Sequence, residues 1–131
     1  MKLIYNKKEV NKMDNYLQKL NINEKLKKEI NSYRESYPVS HELLYRIPKP
    51  DNLYYGDEIW NQAVTALLCG ENILLVGHKA TGKNIFAENL AAAFGRPKWD
   101  ISFHVNMDAA SLIGMDTFRN GKVTFKQGPV Y

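Results

Sequence analysis

Residues 77–84 read GHKATGKN, directly after the apolar run Ile73-Leu74-Leu75-Val76 and directly before a helix-forming stretch. This is the pattern G-x-x-x-x-G-K-[ST] in its strand–loop–helix setting, and it narrows the fold more than any other feature of the chain. Gly77 and Gly82 allow backbone N–H groups to turn inward around a polyanion, and Lys83 can reach the outer phosphates. The helix behind the loop aims the positive end of its dipole at the same point. The implied chemistry is nucleotide binding. Gly77, His78, Lys79, Ala80, Thr81, Gly82, Lys83 and Asn84 are the candidate binding residues.

The last position of the pattern departs from it. A Ser or Thr hydroxyl there ligates Mg²⁺, which bridges the β- and γ-phosphates. Asn84 offers a carboxamide oxygen, a legitimate hard ligand on a longer and bulkier side chain. Two readings follow, and both stand at the level of sequence. In one, Asn84 still takes the metal slot and Mg²⁺ is held more weakly. In the other, the site is decayed, binding phosphate but turning over poorly.

The chain of 131 residues suits one domain, and 44% apolar residues are enough for a core. No apolar run approaches the roughly 20 residues that a membrane span needs. The N-terminus, MKLIYNKKEVNK, has neither a long apolar region nor a small-residue cleavage site, so no secretory signal is expected. The single cysteine, Cys69, excludes an internal disulfide and is expected to be a buried, inert thiol. These features together point to the cytoplasm. Residues 1–56 hold 11 Lys and Arg against 7 Asp and Glu, whereas residues 57–131 hold 7 of each. All of the net charge of +4 therefore precedes the loop. A basic segment can touch nucleic acid, but an ordinary solvated helix face is the expectation.

Along the chain, Val10, Met13, Leu17 and Leu20 share one helical face. Asn21 is the expected cap of a second helix, with Glu24 as its capping-box partner and Ile22, Leu26, Ile30 and Tyr33 as its stripe. Residues 1–36 thus form a basic helical segment. Residues 37–55, rich in Pro and aromatics, read as an extended connector in which Pro48 and Pro50 block a continuous helix. Asp57 is the expected N-cap of the next helix, with Ile59, Trp60, Ala63, Val64, Leu67 and Leu68 buried and Gly70 ending it. The run at 72–76 is apolar on both faces, as in the central strand of a covered parallel sheet. Ile85, Phe86, Leu90, Ala93 and Phe94 pattern the helix after the loop, which stops at Gly95. Trp99, Ile101, Phe103 and Val105 alternate with polar residues, predicting an edge strand, and both tryptophans fall on apolar stripes. Asp108 to Gly114 reads as one short helical turn. Asn120-Gly121 between β-prone flanks predicts a hairpin.

From ILLVGHKATGKN through WDISFHVN and DAASLIG to the hairpin and FKQGPVY, residues 56–131 resemble the AAA+ ATPases of the MoxR type, nearest the CbbQ/NorQ-like branch. Asn106, the D-x-x-S-L-I-G segment and the G-P turn are the specific parts of that resemblance; residues 1–50 carry none. The resemblance implies an α/β P-loop NTPase fold, a three-layer parallel sheet, here incomplete and preceded by the helical N-terminal segment. It implies a homo-oligomeric ring, usually a hexamer, in which ATP and Mg²⁺ drive remodelling or activation of a client protein, often with a von Willebrand A-domain partner. Gly77, Gly82 and Lys83 would hold the triphosphate, with Asn84 in the metal slot. The segment from Ser111 to Gly114 and the hairpin would lie toward the pore or a neighbouring subunit.

The second acidic motif of that family, a hydrophobic strand ending Asp-Glu, has no counterpart in residues 1–131. Nor have the sensor residue, the arginine finger and the helical lid. The residues are accordingly expected to be an N-terminal portion of a longer ATPase; by themselves they are expected to bind ATP at best and to hydrolyse it at a near-background rate. The family's sheet also places strand one between two strands encoded later, so the 73–76 run is expected to lack both neighbours. His41, His78 and His104 show no metal-ligand spacing, and Ser111 has no base at a recognisable spacing, so no catalytic residue is assigned. Two alternatives share the loop: a P-loop small-molecule kinase, and a non-catalytic interaction module with a vestigial loop.

Overall fold

The computed structural model describes residues 15–130. The expected helix positions Val10 and Met13 lie outside the described residues. The described chain divides into two compact units, one ending at Lys98 and the other beginning at Trp99.

In the first unit, residues 15–19 are helical; Leu17 within them and Leu20 just beyond them are buried in the core. Helix α1 (Glu24–Ser36) follows, and its cap differs from the expected one. The cap is Asn23, whose Oδ1 accepts from the Lys25 amide at 2.9 Å. Asn21 instead donates from its carboxamide to Asp57, and Glu24 pairs with Lys27 at 2.9 Å rather than reaching back to a cap. Ile22 and Ile30 are buried and Leu26 and Tyr33 partly so, which agrees with the stripe. The connector is less extended than its prolines suggest, because His41–Arg46 form a 3₁₀ helix that ends two residues before Pro48.

Helix α2 (Asp57–Leu68) begins at Asp57, and its N-cap is Gly56 at φ 142°, not Asp57. Trp60, Ala63 and Val64 are buried; Leu67 and Leu68 are partly buried, and Ile59 is exposed. At its end the Glu71 amide bonds the Ala66 carbonyl at 2.9 Å and the Gly70 amide bonds that of Leu67 at 3.0 Å. This is the six-to-one, five-to-two pattern that needs a left-handed residue, supplied by Gly70 at φ 81°. Cys69, at the exit, is exposed, which corrects the expectation of a buried thiol.

Residues 72–76 are not paired as a strand. Ile73 and Leu75 pack against the core, while Leu74 and Val76 are exposed. The covered central strand therefore does not form among the described residues, because no neighbouring strand is there to bond its backbone, as the missing neighbours predict. Helix α3 (Lys83–Phe94) buries Phe86, Leu90, Ala93 and Phe94 and closes on Gly95, with the Arg96 amide bonding Ala91 at 2.8 Å. Ile85, at its first turn, is exposed. The core of this unit is aromatic at its centre. The Trp60 and Phe86 rings meet edge to face at 5.1 Å, and the Tyr54 ring lies 4.7 Å from Phe86.

In the second unit, residues 99–105 form no strand, which corrects the expected edge strand. With no partner backbone alongside, alternation alone gives nothing to pair with. Trp99 and Phe103 are correspondingly exposed, so Trp99 is not a core residue, unlike Trp60. Helix α4 (Ala109–Ile113) matches the expected turn. Asp108 caps it, accepting from the Ser111 amide at 2.8 Å and hydroxyl at 2.6 Å. These bonds hold the Asp108 carboxyl below the ordinary carboxylate range. Strands β1 (Gly114–Arg119) and β2 (Lys122–Gln127) pair antiparallel, with Arg119 opposite Lys122. The two-residue turn between them is Asn120-Gly121, both at positive φ, as a type I′ hairpin requires. The G-P turn closes against α4, where the Gly128 amide bonds the Ile113 carbonyl at 2.9 Å. A Cβ at Gly128 would lie 2.2 Å from the Leu112 carbonyl oxygen, so only glycine fits there.

The three-layer parallel sheet is thus not realised in residues 15–130, whose one sheet is the β1–β2 pair. The coarser mixed α/β character stands.

Candidate functional site

The loop lies between the unpaired 72–76 run and α3, in the order the sequence predicts. Its backbone turns twice through the left-handed region, at Ala80 (φ 65°) and Gly82 (φ 79°). The Gly82 carbonyl accepts the first helical bond, from the Phe86 amide at 2.8 Å. The amides of the first turn of α3 therefore have no acceptor within the helix and point toward the loop. Both α1 and α2 open with acidic side chains, Glu24 in one and Asp57 and Glu58 in the other, whereas the first turn of α3 has none. The positive end of its dipole is left uncompensated.

Lys83 folds back over this bend. Its Nζ donates to the carbonyl oxygens of Gly77 at 2.9 Å and His78 at 2.5 Å, and to the Thr81 hydroxyl at 3.2 Å. The Thr81 hydroxyl in turn donates to the His78 carbonyl at 2.9 Å. The structure thus brings Gly77, His78, Thr81 and Lys83 into mutual contact and places Gly82 at the joint with the helix. His78, Lys79, Ala80 and Asn84 are exposed along the same segment. An ammonium held only by neutral oxygens can exchange them for phosphate oxygens, which offer a stronger charge-assisted bond.

The residues present suit a polyphosphate in two respects: a lysine folded over the bend and a helix N-terminus with no acidic side chain in its first turn. They fit a protein-held metal less well. Asn84 offers one exposed carboxamide, and among the described residues no group of three or more His, Cys, Asp or Glu gathers to hold an ion.

Helix α3 also carries a buried polar side chain outside its apolar stripe. Asn89 is fully buried on the inner face of α3. Its Oδ1 accepts from the Tyr16 hydroxyl at 2.6 Å and from the Tyr54 amide at 3.2 Å. Its Nδ2 donates to the carbonyls of Asn52 at 3.0 Å and Ile85 at 2.8 Å. The available signal was a carboxamide three residues after Phe86 and four before Ala93, on a face otherwise apolar.

Burial pushes the Tyr16 hydroxyl up to about 12 from 10.0, and the Glu88 carboxylate adds to the shift. A raised acid favours the neutral form in the fold, so its contribution is complete below pH 10 and is lost as the pH rises toward 12. The urea midpoint of the wild type is expected to fall across that window more steeply than that of Tyr16→Phe. Parallel curves for the two proteins would contradict the burial of the Tyr16 hydroxyl beside Glu88.

No protein-family model and no solved structure matches the chain. Protein YojN of Bacillus subtilis is 34% identical over 122 residues, covering 90% of this chain and 40% of its own length. A match of that extent necessarily reaches into residues 1–50. Protein NorQ of Paracoccus denitrificans is 34% identical over 86 residues, 64% of this chain and 31% of NorQ. The mouse von Willebrand factor A domain-containing protein 8 is 26% identical over 99 residues, 72% of this chain and 5% of that protein. The chain thus spans less than half the length of these relatives. Among the described residues no helix is long and apolar enough to cross a membrane. The partial matches to NorQ and to the mouse protein support kinship of this chain with AAA+ proteins.

Proposed function

We propose that residues 77–84 bind the polyphosphate of ATP, as part of a MoxR-like AAA+ ATPase module of the CbbQ/NorQ-like branch, spanning residues 56–131. The observation that carries this reading is Lys83. Its amine is drawn onto the bend of the loop, beside a helix N-terminus that has no acidic side chain in its first turn. Gly77, Thr81, Gly82 and Lys83 grip the phosphates; His78, Lys79 and Ala80 border them; Asn84 occupies the metal position.

In the longer protein the module assembles into a homo-oligomeric ring, a hexamer, in the cytoplasm. ATP hydrolysis with Mg²⁺ there drives remodelling or activation of a client protein. The likeness to a protein whose name includes a von Willebrand A domain supports such a domain as partner. No residue of this chain is assigned to the hydrolytic step. Residues 1–36, basic in composition, and the connector at 37–55 precede the module.

The Asn84 assignment has its own test. Asn84→Thr restores a hydroxyl to the metal position and is expected to raise the ATP affinity gained on adding Mg²⁺ by about tenfold, the effect of one charge-assisted contact. Calorimetric titration with and without Mg²⁺ measures it. An unchanged Mg²⁺ increment would remove Asn84 from the metal slot.

A further inference from the structure

Tyr54 is held at three points. Its amide donates to Asn89 Oδ1 at 3.2 Å, its carbonyl accepts from Trp60 Nε1 at 2.9 Å, and its ring lies 4.7 Å from that of Phe86. Both backbone polar groups are thereby taken by side chains of two different helices, α2 and α3. The ring of the same residue stands against the joint of the loop. A Cβ at Gly82 would lie 3.3 Å from Tyr54 Cε2, closer than most such contacts. Asn89 meanwhile binds Tyr16, Asn52 and Tyr54 from the preceding segments and the Ile85 carbonyl from the first turn of α3. One buried carboxamide therefore links the start of that helix to the residue that abuts its N-cap.

We propose that Asn89 is a positioning residue for the phosphate loop: it pins Tyr54, whose ring against Gly82 sets the bend at which the loop enters α3. The inference rests on the reading of the loop as an anion site. It extends that site to Tyr16 and residues 52–54, which lie ahead of the α2–loop–α3 segment. A fully satisfied polar group in an apolar core favours one arrangement over others, because any slip of the connector leaves the carboxamide unpaired. The ring contact transmits that choice to Gly82, whose left-handed φ the loop requires.

The test uses the full 131-residue chain and its Asn89→Ala, Tyr54→Ala and Tyr54→Phe variants, together with the double alanine variant. Tripolyphosphate affinity is measured by calorimetry well below each thermal midpoint. Hydrogen exchange of the amides of residues 77–83 is followed without ligand. Asn89→Ala and Tyr54→Ala are each expected to weaken binding about tenfold, the double variant no further than the weaker single one, since both act through one contact. Tyr54→Phe keeps the ring and is expected to bind like the wild type. Loop amides should exchange faster in both alanine variants and not in Tyr54→Phe.

Additive losses in the double variant, or a Tyr54→Phe as impaired as Tyr54→Ala, would overturn the proposal. Should Asn89→Ala fail to fold, the two Tyr54 variants decide the matter alone. If the wild type binds no tripolyphosphate, the functional reading falls and exchange becomes the arbiter. Faster loop exchange in the alanine variants would then still establish the positioning role, and unchanged exchange would end it.

Discussion

Lys83→Ala is expected to weaken ATP binding about 100-fold, equivalent to ~2.7 kcal/mol and within the range for hydrogen bonds made by a charged group. In the proposed reading the lysine both shapes the loop and meets the phosphates. Its Nζ bridges Gly77, His78 and Thr81, so its removal would take away the proposed phosphate ligand and also free the bend. The thermal midpoint should hardly move, because these bonds lie at exposed atoms and are shared with water once broken. Calorimetry at matched ionic strength separates the two effects. Affinity within twofold of the wild type would show that the loop does not use its lysine on ATP.

Phe86→Ala is expected to destabilise the first unit by about 3–5 kcal/mol, the usual result of truncating a buried aromatic. Phe86 is 2% exposed and sits where α3 meets the rest of the core, between the Trp60 and Tyr54 rings. Deleting the ring leaves a cavity that neither neighbour can fill, since Trp60 Nε1 is tied to the Tyr54 carbonyl. Urea unfolding monitored by tryptophan fluorescence reads the loss. A cost below about 1 kcal/mol, typical of surface positions, would mean that these rings do not form the centre of the core.

Local signals in the sequence proved dependable where a few neighbouring residues decide the outcome. Asn120-Gly121 specified the hairpin and its register, since few other pairs accept two positive φ values in succession. Gly70 and Gly95 marked helix ends for the same reason. The loop at 77–84 was legible because its glycines and lysine recur at fixed offsets. Capping was misjudged by two residues at α1 and by one at α2. Asn21 and Asn23 have equal intrinsic claim, and the choice fell to Asn23 through the Asn61 carboxamide, which accepts from the Asn23 amide at 3.0 Å.

Pairing was the property that sequence pattern left open. The 73–76 and 99–105 segments have strand-like composition, yet a strand is a relation between two backbones and neither segment finds its partner among the described residues. Asn89 escaped notice for a related reason. A stripe counts apolar positions, and a buried carboxamide makes sense only once Tyr16, Asn52 and Tyr54 converge on it from residues far away in sequence.

The binding of a triphosphate by this bend is most directly tested by recording amide spectra of the wild-type chain during ATP titration. The account predicts saturable shifts concentrated at Gly77, Ala80, Gly82 and Lys83 and at the first turn of α3, reproduced by tripolyphosphate and reversed by high salt. Spectra unchanged at these residues at millimolar ATP, or shifts confined to other surfaces, would contradict it.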